Sequence, residues 1–362
     1  AFSFSARAFI GFLASNIRHD VIELIDILKM LFRTALIVIF LMRGFGIISL
    51  AVITLVVDCV QYITITLFVL IRFSSLKLRI YYIRKEWIKE LLGFSTFSFI
   101  TMIANRLRFY TDSFVISGFL GLGFVTHYNI GARVAIYYEK IVRTGMSITF
   151  PLFSKFEGQR DFESIRDKYI IMLKLTSIFA VLGGGFLLIF GKAFIIRWMG
   201  LKFVDSYSIL VILVIGMLFN SIQSVSSTVL FAVSKHKQFS MIVAAEAVAN
   251  LILSLILVQS YGIQGVAWGT TLPILVTSII ITPVYTCSVI NASFNRLFKV
   301  MYGSLALVSI LYFISWMIVR NIIENSYVSI MKLGIPVGII ITLLSTFVLL
   351  SKKERGYFKI PI

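Results

Sequence analysis

Residues Leu91–Leu120 read LLGFSTFSFITMIANRLRFYTDSFVISGFL. The stretch is long enough to cross the hydrocarbon core of a bilayer as an α-helix, which takes about 20 predominantly apolar residues. Its middle nevertheless holds Asn105, Arg106, Arg108 and Asp112. Each of the three charges costs roughly 2.5–3.5 kcal/mol at the centre of a membrane helix on insertion scales. A chain that keeps them there turns them toward protein or water, so one segment predicts both a spanning helix and a polar lining.

The rest of the chain supports the span. It is 59% hydrophobic and 14% charged, with a mean hydropathy of +0.97, against about 25% charged residues in a soluble domain. Apolar runs of spanning length recur throughout and do not alternate every second residue, which predicts helices rather than a β-barrel. The formal charge is +18. Much of that reflects basic cytoplasmic loops; a basic cavity for an anionic cargo requires basic residues inside the spans as well, and both kinds are present.

Cys59 and Cys287 are isolated within spans, and His19, His127 and His236 are scattered. No Cys-x-x-Cys or His-x-Glu spacing occurs, so neither a metal site nor a cofactor is expected. No phosphate-cradling glycine loop or nucleophile elbow is present, which argues against an enzyme. The opening run Ala1–Leu13 is too short to span and lacks the flanks of a signal peptide. It is expected to be the end of a helix in an N-terminally truncated protein.

Ten full spans are expected, over Val21–Leu41, Ile47–Ile71, Leu91–Leu120, Val125–Phe153, Tyr169–Phe190, Ile209–Val233, Phe239–Val258, Val266–Ile290, Val300–Val319 and Val328–Leu350. Basic residues crowd alternate connections: Arg72 to Lys89, Lys155 to Lys168, Lys235 and Lys237, Arg296 and Lys299, and Lys352 to Lys359. The connections at Gly121–Thr126 and around Gly262 have none, and Lys192, Arg197 and Lys202 are the main exception. This bias predicts a multi-pass protein of the cytoplasmic membrane with its C-terminus in the cytoplasm. The Arg72–Lys89 loop reads as a linker, and Gly183-Gly184-Gly185 and Gly265-x-x-x-Gly269 as sites of close helix approach.

Polar residues three or four apart share a helix face. Thr101, Asn105, Arg108 and Asp112 form one such stripe, with Arg106 pointing elsewhere. Asn129, Arg133, Lys140 and Thr144 form a second, with Glu139 and Arg143 at its edges. Thr54, Asp58 and Gln61 form a third; Glu23, Asp26, Lys29 and Arg33 a fourth; Glu246, Asn250 and Ser254 a fifth. Each stripe has a plain reading as an interhelical tie or a snorkelling side chain. Together, and with bases in excess, they favour a water-filled cavity for an anionic cargo carrying phosphate. Tyr110, Tyr128, Tyr137 and Tyr138 have two readings, as platforms for sugars or as interfacial anchors.

Several stretches resemble the Wzx-type polysaccharide and O-antigen flippases of the multidrug/oligosaccharidyl-lipid/polysaccharide (MOP) exporter superfamily. They are Asp112-Ser-Phe-Val-Ile-Ser-Gly118-Phe-Leu-Gly121 with Tyr128-Asn-Ile, Pro151-Leu-Phe-Ser154, Trp198-Met-Gly200 with Phe203, and Leu230-Phe-Ala-Val-Ser-Lys235. The last is Tyr261-Gly-Ile-Gln-Gly265-Val-Ala-Trp-Gly269. Their order covers most of the chain from Leu91 onward, and Gly11–Asp20 resembles an earlier helix junction of the same family.

The resemblance implies an all-α integral membrane protein, a transporter bundle of two pseudo-symmetric lobes (MATE/MurJ-like), about four of whose helices precede this chain. Residues 1–71 would belong to the first lobe, 72–90 to a cytoplasmic linker, 91–290 to a second six-helix lobe, and 291–362 to a further hairpin and tail. The implied cargo is an undecaprenyl-diphosphate-linked oligosaccharide, flipped from the cytoplasmic to the periplasmic leaflet by alternating access. Arg108, Arg133 and Lys140, with Asn105, Arg106, Asp112 and Arg33, are the expected cargo-facing residues, and Asp58, Glu139 or Glu246 the expected coupling carboxylate. Membrane lipids, a polymerase and other glycan-assembly proteins are the expected partners, with no nucleic acid. A multidrug exporter of the same fold would be expected to have an acidic cavity. A membrane glycosyltransferase or O-antigen polymerase would normally carry a large catalytic loop, and none is visible in the sequence.

Overall fold

The computed structural model describes residues 2–16, 18–73, 85–147, 149–320, 322–324 and 326–349. The chain forms two compact units, Ala1–Ile88 and Lys89–Ile362. The basic residues Lys77, Arg79 and Arg84 of the expected linker, and those of the C-terminal tail, lie outside the described residues.

The first unit contains α1 (Phe2–Ser15), α2 (His19–Met42) and α3 (Ile47–Arg72). On α3, Ile53, Val57, Gln61, Ile65 and Val69 recur every fourth residue and are buried as one stripe. Leu13 of α1 packs on Ile65 and Val69, and Phe12 meets Phe73 edge-to-face at 5.1 Å. The other face of α3 exposes Leu55, Val60, Leu67 and Ile71. An apolar outer surface around a partly polar seam is the arrangement that a lipid environment selects.

The second unit contains all but the first turn of α4 (Lys85–Phe119), and α5 (Leu122–Ser147), α6 (Phe150–Gly158), α7 (Phe162–Met199), α8 (Ser206–Ile222), α9 (Ser224–Ala232), α10 (His236–Val276), α11 (Thr282–Ile290), α12 (Phe294–Val319) and α13 (Tyr327–Leu349). Asp161 caps α7 by accepting from the Ser164 backbone N–H at 3.0 Å, and bonding to Ser164 holds its carboxyl below the usual carboxylate range. Helix α8 packs on α5, α7 and α10, while α12 and α13 pack on α7.

Glycines set the closest approaches. A methyl on Gly185 would come within 2.6 Å of the Tyr312 ring, and one on Gly183 within 2.8 Å of Tyr138. The triple glycine thus brings α5 and α12 against α7. In α10 the backbone reverses at Gly262, with φ 57° and ψ −138°, which a side chain would strain. The two arms of α10 then pack so tightly that a Cβ on Gly265 would collide with the Leu257 carbonyl, and one on Gly269 with the backbone of Ser254. The expected spans Phe239–Val258 and Val266–Ile290 are these arms, the second continuing through a π-helical turn (Thr277–Ile281) into α11.

Two expected spans are interrupted. Val125–Phe153 divides between α5 and α6, where Pro151 enters the first turn of a new helix. Ile209–Val233 divides at Gln223, whose side-chain oxygen accepts from Ser226 Oγ at 2.6 Å. Among the described residues six helical stretches are long and apolar enough to cross a membrane: Ile47–Arg72, Phe162–Met199, Ser206–Ala232, His236–Ile290, Leu297–Val319 and Tyr327–Val348. The chain is a multi-pass membrane protein, and the stripes richest in charge are on α2, α4 and α5.

Candidate functional site

The α5 stripe divides into two faces. Tyr128, Ala132, Ala135, Tyr138, Glu139 and Val142 are buried against the bundle. Arg133, Tyr137, Lys140 and Ile141 are exposed on the other side. Among the described residues neither Arg133 nor Lys140 has a hydrogen-bond or ion-pair partner. Arg133 and Tyr137 line an apolar groove of about 750 Å³ between α5 and α7, which also includes Phe179, Phe186 and Trp198. Two cations and a phenol on one exposed face of α5 form a basic strip.

Asp112 departs from the expected cavity lining. It is 2% exposed, its Oδ2 accepting from Tyr128 Oη at 2.5 Å and from Thr270 Oγ1 at 3.0 Å. It joins α4, α5 and the second arm of α10 as an interhelical tie. The side chains of Asn105, Arg108 and Tyr110 lie outside the described residues. Arg106 is exposed on α4. Tyr138 is also internal, donating to the Ala180 carbonyl at 2.6 Å, so among the described side chains of these tyrosines Tyr128 and Tyr138 are buried and Tyr137 is exposed.

Glu139 is 5% exposed and faces α8. Its Oε1 accepts from Asn220 Nδ2 at 2.7 Å and from Arg143 Nη1 at 3.1 Å. Glu246 is equally buried and accepts from Thr277 Oγ1 in the π-helical turn. Arg143, Asn220, Glu246 and Thr277 line one polar pocket of about 200 Å³, together with Gln223 and Ser224. Glu246 lines this pocket itself, whereas Glu139 is linked to it through Arg143 and Asn220, which bond to its carboxylate. Asn220 and Thr277 were not singled out in the sequence, since a lone Asn or Thr in an apolar run carries no periodic signal.

In the first unit Lys29 Nζ lies 2.6 Å from Asp58 Oδ1 and donates to Gln61 Oε1 at 2.7 Å. The Gln61 amide donates in turn to Asp26. Asp58 is thus paired across α2 and α3, while Arg33 is half-buried on α2, one turn beyond Lys29. Among the described residues no group of His, Cys, Asp and Glu could hold a metal ion.

These features define an all-helical, multi-pass membrane protein with internal polar ties and a basic strip on α5. Residues 7–208 match the polysaccharide biosynthesis protein family, and the chain belongs to it. It is 25% identical over 204 residues to the "Putative O-antigen transporter" of Shigella flexneri, an alignment covering 56% of this chain and 48% of that protein. The chain thus spans about half the length of that curated relative. Its structure is similar to that of the lipid II flippase MurJ in an inward closed conformation, with a TM-score of 0.62 at 20% identity, over 87% of this chain and 65% of MurJ. At that identity the likeness is one of fold.

Proposed function

We propose that this chain is part of a non-enzymatic transporter that flips an undecaprenyl-diphosphate-linked oligosaccharide, an O-antigen or exopolysaccharide repeat unit, across the cytoplasmic membrane. The observation that carries the reading is the exposed α5 strip, where Arg133 and Lys140 have no counter-charge among the described residues. Unpaired cations inside a span are costly and mark an ion or substrate path. A diphosphate, reinforced by acidic sugars, supplies the missing charge, and a guanidinium binds it through paired N–H groups. Tyr137 on the same face offers a ring to the glycan.

The family, the name of the Shigella relative and the MurJ-like fold support this reading. In it the cargo moves outward by alternating access, with a cytoplasmic C-terminus and delivery to a polymerase or other glycan-assembly proteins. Asp58, Glu139 and Glu246 are the carboxylates available for coupling to a proton. The basic strip disfavours a multidrug exporter, whose cationic cargo it would repel.

The test is Arg133→Ala and Lys140→Ala in the full-length protein, expressed in a strain lacking its own transporter. Surface glycan is expected to fall sharply in each while the protein still inserts. Normal glycan in both would remove the strip from the cargo path.

A further inference from the structure

One end of the second unit is where α7 and α12 finish and α5, α8 and α13 begin. His127 Nδ1 lies 2.8 Å from Asp205 Oδ1 there, and Gln264 Nε2 donates to Ser208 Oγ at 3.2 Å. The loop bias makes this the non-cytoplasmic end, where Lys and Arg are normally sparse. Arg197, Lys202 and Arg320 nevertheless cluster here, all exposed. Arg197 Cζ lies 5.6 Å from the centroid of the Tyr327 ring, Arg320 Cζ 5.2 Å from that of Trp316, and Lys202 Nζ 5.9 Å from that of Phe203. Beneath the two arginines Phe190, Ala193, Val319 and Ile330 close an apolar cluster that joins α7, α12 and α13.

Among the described residues none of the three cations has an ion-pair partner. The described carboxylates at this end are Asp205, taken by His127, and Glu324, which is exposed. An aromatic ring holds each cation at the boundary between hydrocarbon and headgroups. What that boundary supplies to balance the charge is phosphate.

We propose that the corner formed by the ends of α7 and α12 and the start of α13 binds the phosphate of an anionic membrane phospholipid, through Arg197 and Arg320 with Lys202 at its flank. This site uses none of the α5 cations and needs only that the bundle lies in a membrane. It explains the exception to the loop rule: the bases here meet lipid phosphate instead of directing topology.

The test is lipid retention by the purified chain, measured by native mass spectrometry with phosphatidylglycerol and with phosphatidylcholine. The variants are R197Q/R320Q, its charge-keeping counterpart R197K/R320K, and K235Q/K237Q at the opposite end. Wild type, R197K/R320K and K235Q/K237Q are expected to prefer phosphatidylglycerol. R197Q/R320Q is expected to lose about thirtyfold of that preference, at about fivefold for each cation near an anionic interface. If that variant does not fold, K202Q alone is expected to lose about fivefold. An unchanged preference in the Gln variants, or an equal loss in K235Q/K237Q, would overturn the site. So would saturation of these residues by a polyprenyl diphosphate with no preference among phospholipids, which would assign the corner to the transported lipid.

Discussion

The phenol of Tyr128 donates to Asp112 Oδ2 at 2.5 Å, so a carboxylate positioned by α4 is tied to α5, and Thr270 of α10 donates to the same oxygen at 3.0 Å. Removing one donor takes a hydrogen bond from a buried carboxylate, which costs more than a hydrogen bond contributes in water. Tyr128→Phe is expected to destabilise the purified protein by about 1–3 kcal/mol. Thr270→Val should act in the same direction. The two changes share a partner, so thermal unfolding of the double variant should be non-additive; strict additivity would show that the donors act independently.

The glycine contacts predict a position-dependent response to one added methyl group. Gly185→Ala drives a carbon toward the Tyr312 ring, and overpacking of this kind costs about 1–3 kcal/mol. Gly145→Ala, with open space around it, should leave stability unchanged or slightly raised. Melting temperatures in detergent compare them directly. Equal values would mean that α12 yields readily where it crosses α7.

In the first unit, Lys29→Met strands Asp58 beside α2. The pair is partly open to its surroundings, which trims the cost of a fully buried pair to about 1–3 kcal/mol. Lys29→Met combined with Asp58→Asn should recover part of the loss, because no uncompensated charge remains. Expression level and unfolding temperature read both steps. A double variant worse than the single would show that Gln61 and Asp26 depend on the lysine more than Asp58 does.

Arg133→Ala should separate transport from stability. The side chain is exposed and makes no bond among the described residues, so unfolding should shift by less than about 0.5 kcal/mol. Glu139→Gln, by contrast, alters a side chain that holds Asn220 and Arg143, and should lower stability measurably. A large stability loss in Arg133→Ala would mark that residue as structural.

The sequence by itself determined that this is a helical, multi-pass membrane protein, and where most of its helices run. Both follow from the local length of apolar runs, because the bilayer penalises every unpaired backbone group wherever it falls along the chain. It also marked Gly183–Gly185 and Gly265-x-x-x-Gly269 as close approaches, since absent side chains are legible without knowing the neighbour. Which polar residues turn inward was decided only by the tertiary structure. Lys140 lies in one stripe and Glu139 at its edge, yet Asn220 of α8 encloses the edge residue while the stripe residue stays exposed. A spacing of three or four assigns a face of a helix, but the helix that covers that face comes from a distant part of the chain. Asp112 shows the same limit: its cost in hydrocarbon was visible from its own span, whereas Tyr128 and Thr270, which offset that cost, were brought to it by packing.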